Sequence, residues 1–293
     1  MTRKEFVTKA TESLSAGYSP GEAKALSVRI LSHFLGLSDY EYSVEPGVII
    51  PRPELTRLQQ ALDELASGRP VQYVIGEEEF AGHTFHVCES VLIPRPETEQ
   101  MCRMIISQWR GSGYQNLRIL DACTGSGCIA WTLAAAFPKA EVYACDISQA
   151  ALDVAKGQEV FLDEGRRQRV PNPPVFFKAD LLDGQPDLDD IDILVSNPPY
   201  VCESEKDFME HNVLDYEPEE ALFVPDNDPL RFYKALAVWA STAVKTGGQC
   251  CFEINEAFGQ QVRELYESQG FSDVDIIEDF RGKPRFVTFT KWF

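Results

Sequence analysis

Apolar positions recur at helical intervals throughout the first 75 residues. Ser19 followed by Pro20 is typical of a helix start, and Gly36 is typical of a helix end. A further helix is predicted after Pro53. The apolar positions of the three predicted helices are Phe6, Val7, Ala10 and Leu14, then Ala25, Val28, Leu31 and Leu35, then Leu55, Leu58, Leu62 and Leu65. The pattern predicts a small helical domain over residues 1–75.

The pattern of apolar residues changes in the segment 76–97. Apolar and polar side chains alternate from Phe80 to Val87 on either side of Gly82, as they do in a hairpin. We therefore expect a β-hairpin linker between two domains.

From residue 98 to residue 293, strand-like runs alternate with helical patterns. The predicted strands are 118–122, 141–146, 174–179, 191–196, 249–254, 273–277 and 285–290, and the predicted helices are 98–110, 128–137, 149–163, 229–245 and 257–269. Such alternation favours a mostly parallel sheet covered by helices. The last two strands are too close in sequence for a helical crossover, so we expect them to be antiparallel. The predicted fold class is α/β, with the Rossmann-like, seven-stranded sheet and antiparallel last strand of class I methyltransferases.

Composition narrows the classes of function. The chain has 293 residues and a net charge of −19, which makes nonspecific binding to nucleic-acid phosphates unfavourable. No apolar run approaches the roughly 20 residues that cross a bilayer, and the N-terminus lacks the apolar core of a secretory signal. The eight cysteines include no C-x-x-C pair, so we expect free thiols and no metal site. We expect a cytoplasmic protein that binds neither membrane nor nucleic acid directly.

The negative charge is concentrated in one region. Residues 183–228 contain 15 acidic residues and a single basic one, Lys206. Such a run is either a solvated face or a docking surface for a basic partner.

A glycine-containing turn follows the first predicted strand of the α/β domain. In the sequence Asp-Ala-Cys-Thr-Gly-Ser-Gly over 121–127, Gly125 and Gly127 allow a ligand to approach the backbone closely. Asp146 ends the next strand, where a carboxylate accepts the two hydroxyls of an adenosine ribose. Asp180 and Leu181 end the third strand, beside the expected adenine. These residues fit a nicotinamide cofactor and S-adenosylmethionine equally well.

The residues Asn197-Pro198-Pro199-Tyr200 follow the buried strand 191–196. The nitrogen of an amide or of an exocyclic amine is a poor nucleophile, because its lone pair is delocalised. Two acceptors that hold its N–H bonds can aim the lone pair at a methyl donor, and the Asn197 side chain and the Pro198 carbonyl are such acceptors. The Tyr200 ring can pack on the flat substrate group. This pattern indicates methylation of a planar nitrogen, achieved mainly by positioning.

Several motifs together resemble the HemK-type glutamine methyltransferases of peptide chain release factors. The resemblance covers the chain from about residue 68 to its end. The motifs are Gly-Arg-Pro-Val-Gln-Tyr-Val-Ile-Gly at 68–76, Val-Leu-Ile-Pro-Arg-Pro-Glu-Thr-Glu at 91–99, Asn-Pro-Pro-Tyr at 197–200 and Asp-Phe-Arg-Gly-Lys-Pro-Arg-Phe-Val at 279–287. One departure is Cys123, which stands where the family usually has a glycine.

The resemblance implies methyl transfer from S-adenosylmethionine to the side-chain N5 of the glutamine in the Gly-Gly-Gln motif of class-1 release factors. It implies that Asn197, Pro198, Pro199 and Tyr200 bind this glutamine. It also implies a cofactor site lined by Cys123, Thr124, Gly125, Ser126, Gly127, Asp146, Asp180, Leu181 and Asn197. The helical domain would help to hold the release factor.

Three other functions remain open. The loop that contains Cys123 also resembles that of the enzymes that methylate a glutamine of a ribosomal protein. Those enzymes, however, lack the Ile-Pro-Arg-Pro-Glu-Thr sequence found here at 93–98. Asn-Pro-Pro-Tyr also serves DNA adenine-N6 methylation, but the acidic region around Asn197 opposes DNA binding. A nicotinamide-dependent oxidoreductase would use the glycine turn and leave Asn-Pro-Pro-Tyr unexplained.

Overall fold

The computed structural model describes residues 1–111, 116–163 and 168–293. The helices are α1 (Arg3–Leu14), α2 (Pro20–Leu35), α3 (Asp39–Val44), α4 (Arg52–Ala66), α5 (Val71–Ile75), α6 (Pro96–Trp109), α7 (Cys128–Ala136), α8 (Gln149–Lys156), α9 (His211–Tyr216), α10 (Arg231–Ala243) and α11 (Gly259–Ser268). The strands are β1 (Glu77–Phe80), β2 (His83–His86), β3 (Arg118–Ala122), β4 (Glu141–Asp146), β5 (Phe161–Asp163), β6 (Gln168–Arg169), β7 (Val175–Lys178), β8 (Ile191–Ser196), β9 (Val201–Cys202), β10 (Phe223–Val224), β11 (Val244–Glu253), β12 (Ser272–Glu278) and β13 (Pro284–Thr290). The chain divides into two compact units, a helical unit of Met1–Glu77 with Glu210–Tyr216 and a larger unit of Glu78–Met209 with Glu217–Phe293.

The helical unit packs α1, α2 and α4 around an apolar core. The Ser19 hydroxyl accepts a hydrogen bond from the Glu22 amide, and Pro20 occupies the first turn of α2. Gly36 ends the helix with a φ of 60°, in the left-handed region that favours glycine. The predicted start and end of this helix are therefore confirmed.

The segment Glu210–Tyr216 belongs to the helical unit, although it lies far along the chain. The Tyr216 hydroxyl donates a hydrogen bond to the Ser67 carbonyl oxygen at 3.2 Å, just beyond α4. The sequence pattern predicts a continuous domain over 98–293, because a short segment that packs elsewhere does not disturb the alternation of strands and helices.

The larger unit is built on a seven-stranded sheet with the order β12-β13-β11-β8-β3-β4-β7. The pairs from β11 to β7 are parallel, and β13 is antiparallel to both of its neighbours. The predicted fold class and the antiparallel final hairpin are confirmed.

Each face of this sheet carries its own apolar core. Because successive residues of a strand point to opposite faces, Ile119 packs in one core and Leu120 in the other. The hairpin residues Phe80 and Phe85 are buried in the first core, with residues of α6 and α7. The hairpin is thus part of the larger unit.

One predicted helix is wrong in its second half. The pattern predicted a helix over 149–163, but α8 ends at Lys156 and residues 161–163 form β5. Gly157 is the C-cap of α8, and the next residue, Gln158, is buried outside the helix. The Gln158 side chain exchanges two hydrogen bonds with the His86 backbone, both at 2.8 Å. This tertiary pairing ends a helix that the local pattern would have continued.

Candidate active site

A cavity of about 310 Å³ lies in the larger unit, where the loops after the parallel strands β3, β4 and β8 meet. Ligands of open α/β sheets bind at this carboxyl edge. The predicted site residues that line the cavity are Cys123, Thr124, Gly125, Ser126, Asp146, Asp180, Leu181, Asn197 and Pro199. Within the described part of the chain, three further predicted residues do not line it, namely Gly127, Pro198 and Tyr200.

The loop after β3 is held by hydrogen bonds to β3 and β4. The Thr124 hydroxyl donates to the Asp121 carboxylate at 2.6 Å, and the Thr124 amide donates to the Cys145 carbonyl oxygen at 2.9 Å. Gly125 has a φ of 53°, and a methyl group added there would meet no other atom within 4 Å. The loop therefore presents bare backbone to the cavity, as a close-fitting ligand requires.

Cys123 lies in this loop with a φ of 60°. This left-handed conformation costs a residue with a side chain about 1–2 kcal/mol, whereas glycine adopts it freely. The position where the family usually has glycine is thus one where the backbone conformation favours glycine. Cys123 keeps the conformation, and burial raises the pKa of its thiol, so the thiol stays protonated.

Gly127 has a different role from Gly125. A methyl group on Gly127 would lie 3.0 Å from the Cβ atom of Ala155 in α8, and the φ of Gly127 is 81°. This glycine allows α7 to begin close against α8.

Asp146 connects the loop to the end of β4. One of its carboxylate oxygens accepts the Gly125 amide at 2.8 Å, and the other accepts the Ser148 amide at 2.9 Å. Burial raises the pKa of Asp146, and these two hydrogen bonds act in the opposite direction. Since each carboxylate oxygen has two acceptor positions, Asp146 can still accept two hydroxyl groups from a ligand in the cavity.

Asp121 lies beneath the loop and is fully buried. Burial raises the pKa of Asp121 to about 7, although the Thr124 hydroxyl stabilises the charged form. This carboxyl therefore titrates near neutral pH, and its protonation is coupled to the stability of the fold.

Asn197 follows β8 and lines the cavity. Its side-chain nitrogen Nδ2 donates to the Thr98 hydroxyl at 3.1 Å. Among the described residues, no hydrogen bond to its oxygen Oδ1 is formed, so this oxygen is available as an acceptor for a ligand.

Two further residues of the Asn-Pro-Pro-Tyr sequence, Pro198 and Tyr200, do not line the cavity. The Tyr200 hydroxyl donates to the Glu253 carboxylate at 2.8 Å, and the Tyr200 carbonyl oxygen accepts from Asn255 at 3.2 Å. Pro198 is buried. The expected contacts of the Tyr200 ring and the Pro198 carbonyl with a substrate remain predictions.

Sequence reasoning missed Thr98 and Glu253. Thr98 stands in the first turn of α6, and Glu253 is the last residue of β11 and only 1% exposed. The sequence does carry a signal, since a carboxylate that ends an otherwise apolar strand needs a polar partner inside the fold.

An ion pair between the half-buried Arg95 and the buried Glu217 lies beside the cavity. Arg95 donates to Glu217 at 2.5 Å, and the Ile93 amide donates to the second carboxylate oxygen of Glu217 at 3.1 Å. The pair joins the segment before α6 to residues 218–223, several of which line the cavity.

The acidic region is only partly a solvated face. Asp192 is buried, where it accepts the Arg118 amide at 2.7 Å and pairs with Lys245. Glu205 accepts the Cys202 amide at 2.7 Å. Other members, including Asp183 and Asp207, are exposed.

Two kinds of feature are absent from residues 1–111, 116–163 and 168–293. These residues contain no cluster of His, Cys, Asp and Glu side chains that could hold a metal ion. They also form no helix with the length and apolar character needed to cross a membrane.

Comparison with known proteins gives two family matches. Residues 5–76 match the PrmC N-terminal domain, and residues 102–219 match the methyltransferase small domain. A crystal structure of a release factor-specific protein-(glutamine-N5) methyltransferase from Alicyclobacillus acidocaldarius superimposes with a TM-score of 0.41 at 25% identity, covering 71% of this chain and all of that one.

Curated relatives match along almost the whole chain. A release factor glutamine methyltransferase of Bacteroides thetaiotaomicron is 41% identical over 94% of this chain and 96% of its own length. The enzyme of the same name from Flavobacterium psychrophilum is 35% identical over 98% of both chains. With this similarity across both units, the chain belongs to the family of release factor glutamine methyltransferases.

Proposed function

We propose that this protein transfers a methyl group from S-adenosylmethionine to the side-chain N5 of the glutamine in the Gly-Gly-Gln motif of class-1 release factors. The observation that carries the proposal is the Asn197 amide, which donates to Thr98 and leaves Oδ1 available in the cavity. Membership of the family supports the reaction and the kind of partner.

The cavity suits the proposed cofactor. Asp146 keeps acceptor positions for two adjacent hydroxyls, which an adenosine ribose carries. Gly125 leaves room for close approach to the backbone, and Asp146 and Asp180 line the cavity, where their negative charge would favour a ligand that carries a positive sulfonium. When bound, S-adenosylmethionine supplies an electrophilic methyl group.

Asn197 then holds and orients the substrate amide. Its Oδ1 accepts one N–H bond of the glutamine, and the Pro198 carbonyl accepts the other. The nitrogen lone pair is thereby directed at the methyl carbon. The nitrogen would take the methyl group from the bound cofactor, the electron pair of the carbon–sulfur bond would stay on sulfur, and one N–H proton would pass to water. Positioning of this kind accelerates a reaction without a strong base.

The test is incubation of the full chain with labelled S-adenosylmethionine and a purified class-1 release factor, followed by mass mapping of the modified residue. We expect one methyl group on the glutamine of Gly-Gly-Gln and none on a release factor in which that glutamine is replaced by asparagine. Parallel reactions contain ribosomal proteins and DNA. Faster transfer to either of these would overturn the assigned substrate.

A further inference from the structure

Four side chains from three parts of the fold form one hydrogen-bonded series. Asn197 Nδ2 donates to Thr98 Oγ1 at 3.1 Å, and Thr98 Oγ1 donates to Glu253 Oε2 at 2.7 Å. The other oxygen of Glu253 accepts the Tyr200 hydroxyl at 2.8 Å. Thr98 is 3% exposed and Glu253 is 1% exposed. Water therefore has little access to the middle of the series.

The direction of each bond follows from the chemistry of its atoms. An ionised carboxylate only accepts hydrogen bonds, and a hydroxyl has a single hydrogen to donate. Because the Thr98 hydrogen goes to Glu253, Thr98 Oγ1 can only accept from Asn197. The Asn197 side chain must then present its nitrogen to Thr98 and leave its oxygen to the cavity.

We propose that Glu253 is a positioning residue which, through Thr98, sets the orientation of the Asn197 amide. The inference rests on the proposed function, because the orientation matters for an amide substrate that needs an acceptor. If the Asn197 amide rotated by half a turn, it would offer an N–H group to a substrate that itself carries N–H bonds. The two donors would oppose each other, and the substrate amide would lose its acceptor.

Glu253 is also held in place from both sides. The Tyr233 hydroxyl donates to the Glu253 carbonyl oxygen at 3.3 Å, and the Tyr200 hydroxyl bonds the carboxylate. Burial raises the pKa of Glu253, whereas the hydrogen bonds from Thr98 and Tyr200 and the charge of Arg285 favour the ionised form. The buried Glu253 carboxylate accepts hydrogen bonds from two hydroxyls, those of Thr98 and Tyr200. It thereby fixes which atom donates and which accepts in each hydrogen bond of the series.

The first test compares three threonine variants in the full chain. Thr98→Val removes the hydroxyl at nearly constant volume, and Thr98→Ser keeps it. Thr132→Val is the matched control, because Thr132 is also 3% exposed and its hydroxyl has no hydrogen-bond partner within the described residues. We expect Thr98→Val to lower kcat by about 10- to 100-fold with little change in the KM for S-adenosylmethionine. Thr98→Ser should recover most of the loss.

The second test replaces the Glu253 carboxylate by an amide of nearly the same shape. In Glu253→Gln, one acceptor oxygen becomes an NH₂ donor, so the side chain no longer requires both the Thr98 and the Tyr200 hydroxyl to donate to it. When the NH₂ group faces Thr98, the Thr98 hydrogen turns towards Asn197, and the rotated Asn197 amide is favoured. We expect a fall in kcat similar to that of Thr98→Val, with the thermal midpoint of unfolding close to that of the wild type.

A third test measures hydrogen exchange of the Asn197 side-chain amide and needs no substrate. In ¹⁵N-labelled protein, the Asn197 side-chain NH₂ signal is identified by its loss in Asn197→Asp. We expect slow hydrogen exchange of one of its protons in the wild type and in Thr132→Val, and faster exchange in Thr98→Val.

The outcomes separate the two proposals. If the wild type methylates the release factor while Thr98→Val and Glu253→Gln keep kcat within about twofold and the amide exchange is unchanged, the positioning role is refuted and the function stands. If the wild type fails to methylate the release factor, the function is refuted, and the exchange measurement still decides whether Thr98 orients Asn197.

Discussion

At the scale of single residues, Asn197 carries the largest share of the proposed chemistry. Asn197→Ala removes one of the two acceptors for the substrate amide, and such a loss costs about 2–4 kcal/mol in the transition state. We expect turnover to fall by about 30- to 1000-fold, while the affinity for S-adenosylmethionine stays within a few-fold. Single-turnover kinetics and calorimetric titration measure the two quantities separately.

The exposed Asn172 provides the control for this substitution. It bonds only the Pro138 carbonyl oxygen at 3.2 Å among the described residues, outside the cavity, so Asn172→Ala should leave turnover unchanged. Unchanged turnover in Asn197→Ala would remove Asn197 from its assigned role.

Asp121 gives a prediction about stability and pH. Its pKa is raised from 3.8 to about 7 in the folded protein by burial, so the folded state keeps a proton that the unfolded state has lost in this interval. The contribution of Asp121 to stability is thus present below about pH 4 and is lost as the pH rises to about 7. In Asp121→Asn this contribution does not titrate. The free energy of unfolding of the wild type relative to the variant should fall by about 1.4 kcal/mol for each pH unit across the window.

Urea unfolding of both proteins at several pH values between 4 and 8 measures this difference, with Asp146 present in both. A difference that is constant with pH, or that grows in favour of the wild type as the pH rises, would show that Asp121 is ionised throughout.

At the scale of elements, the two glycines after β3 should respond differently to the same change. Gly127→Ala places a methyl group against Ala155 and requires a positive φ, so we expect a loss of about 1–3 kcal/mol in stability. Gly125→Ala has free space around the methyl group and should lose only the smaller cost of its φ of 53°. Because Gly125 lines the cavity, its variant should instead weaken binding of S-adenosylmethionine.

Thermal unfolding and cofactor titration of both variants provide the comparison. Equal losses of stability, with no loss of affinity in Gly125→Ala, would contradict this division of roles.

The order of the elements was predictable from the sequence, because period and turn residues act locally. The strands 118–122, 141–146 and 191–196 lie as predicted. The predicted helix was wrong over 157–163, because Gln158 bonds the backbone of His86, a residue distant in sequence that the local pattern does not reveal. The same reason hid the partners of Asn197, because Thr98 and Glu253 reach it only through the folded sheet. Local patterns pointed to Gly125, Asp146 and Asn197, which line the cavity, whereas tertiary contacts supply the residues that orient Asn197.

At the scale of the whole molecule, the sequence shows where the negative charge is concentrated, but not which of the acidic side chains are buried and which are exposed. The 15 acidic residues of 183–228 look equivalent in sequence, yet Asp192 and Glu217 are buried in ion pairs, and 210–216 belongs to the helical unit. The exposed members are the ones that remain to act on a partner at a distance.

We expect these exposed carboxylates to speed association with a basic partner, because complementary charge acts mainly on the association rate. The double variant Asp183→Lys with Asp207→Lys should slow binding to the release factor several-fold and weaken its dependence on salt. Glu264→Lys with Glu267→Lys makes the same change in net charge on exposed positions of α11 and is the control. Stopped-flow association rates between about 20 and 300 mM salt measure the effect. Charges more than about 10 Å apart are largely screened at 0.1 M salt, so a docking role requires the Asp183/Asp207 variant to slow association more than the α11 variant does. Equal slowing in both variants would assign the effect to net charge and contradict a docking role for this region.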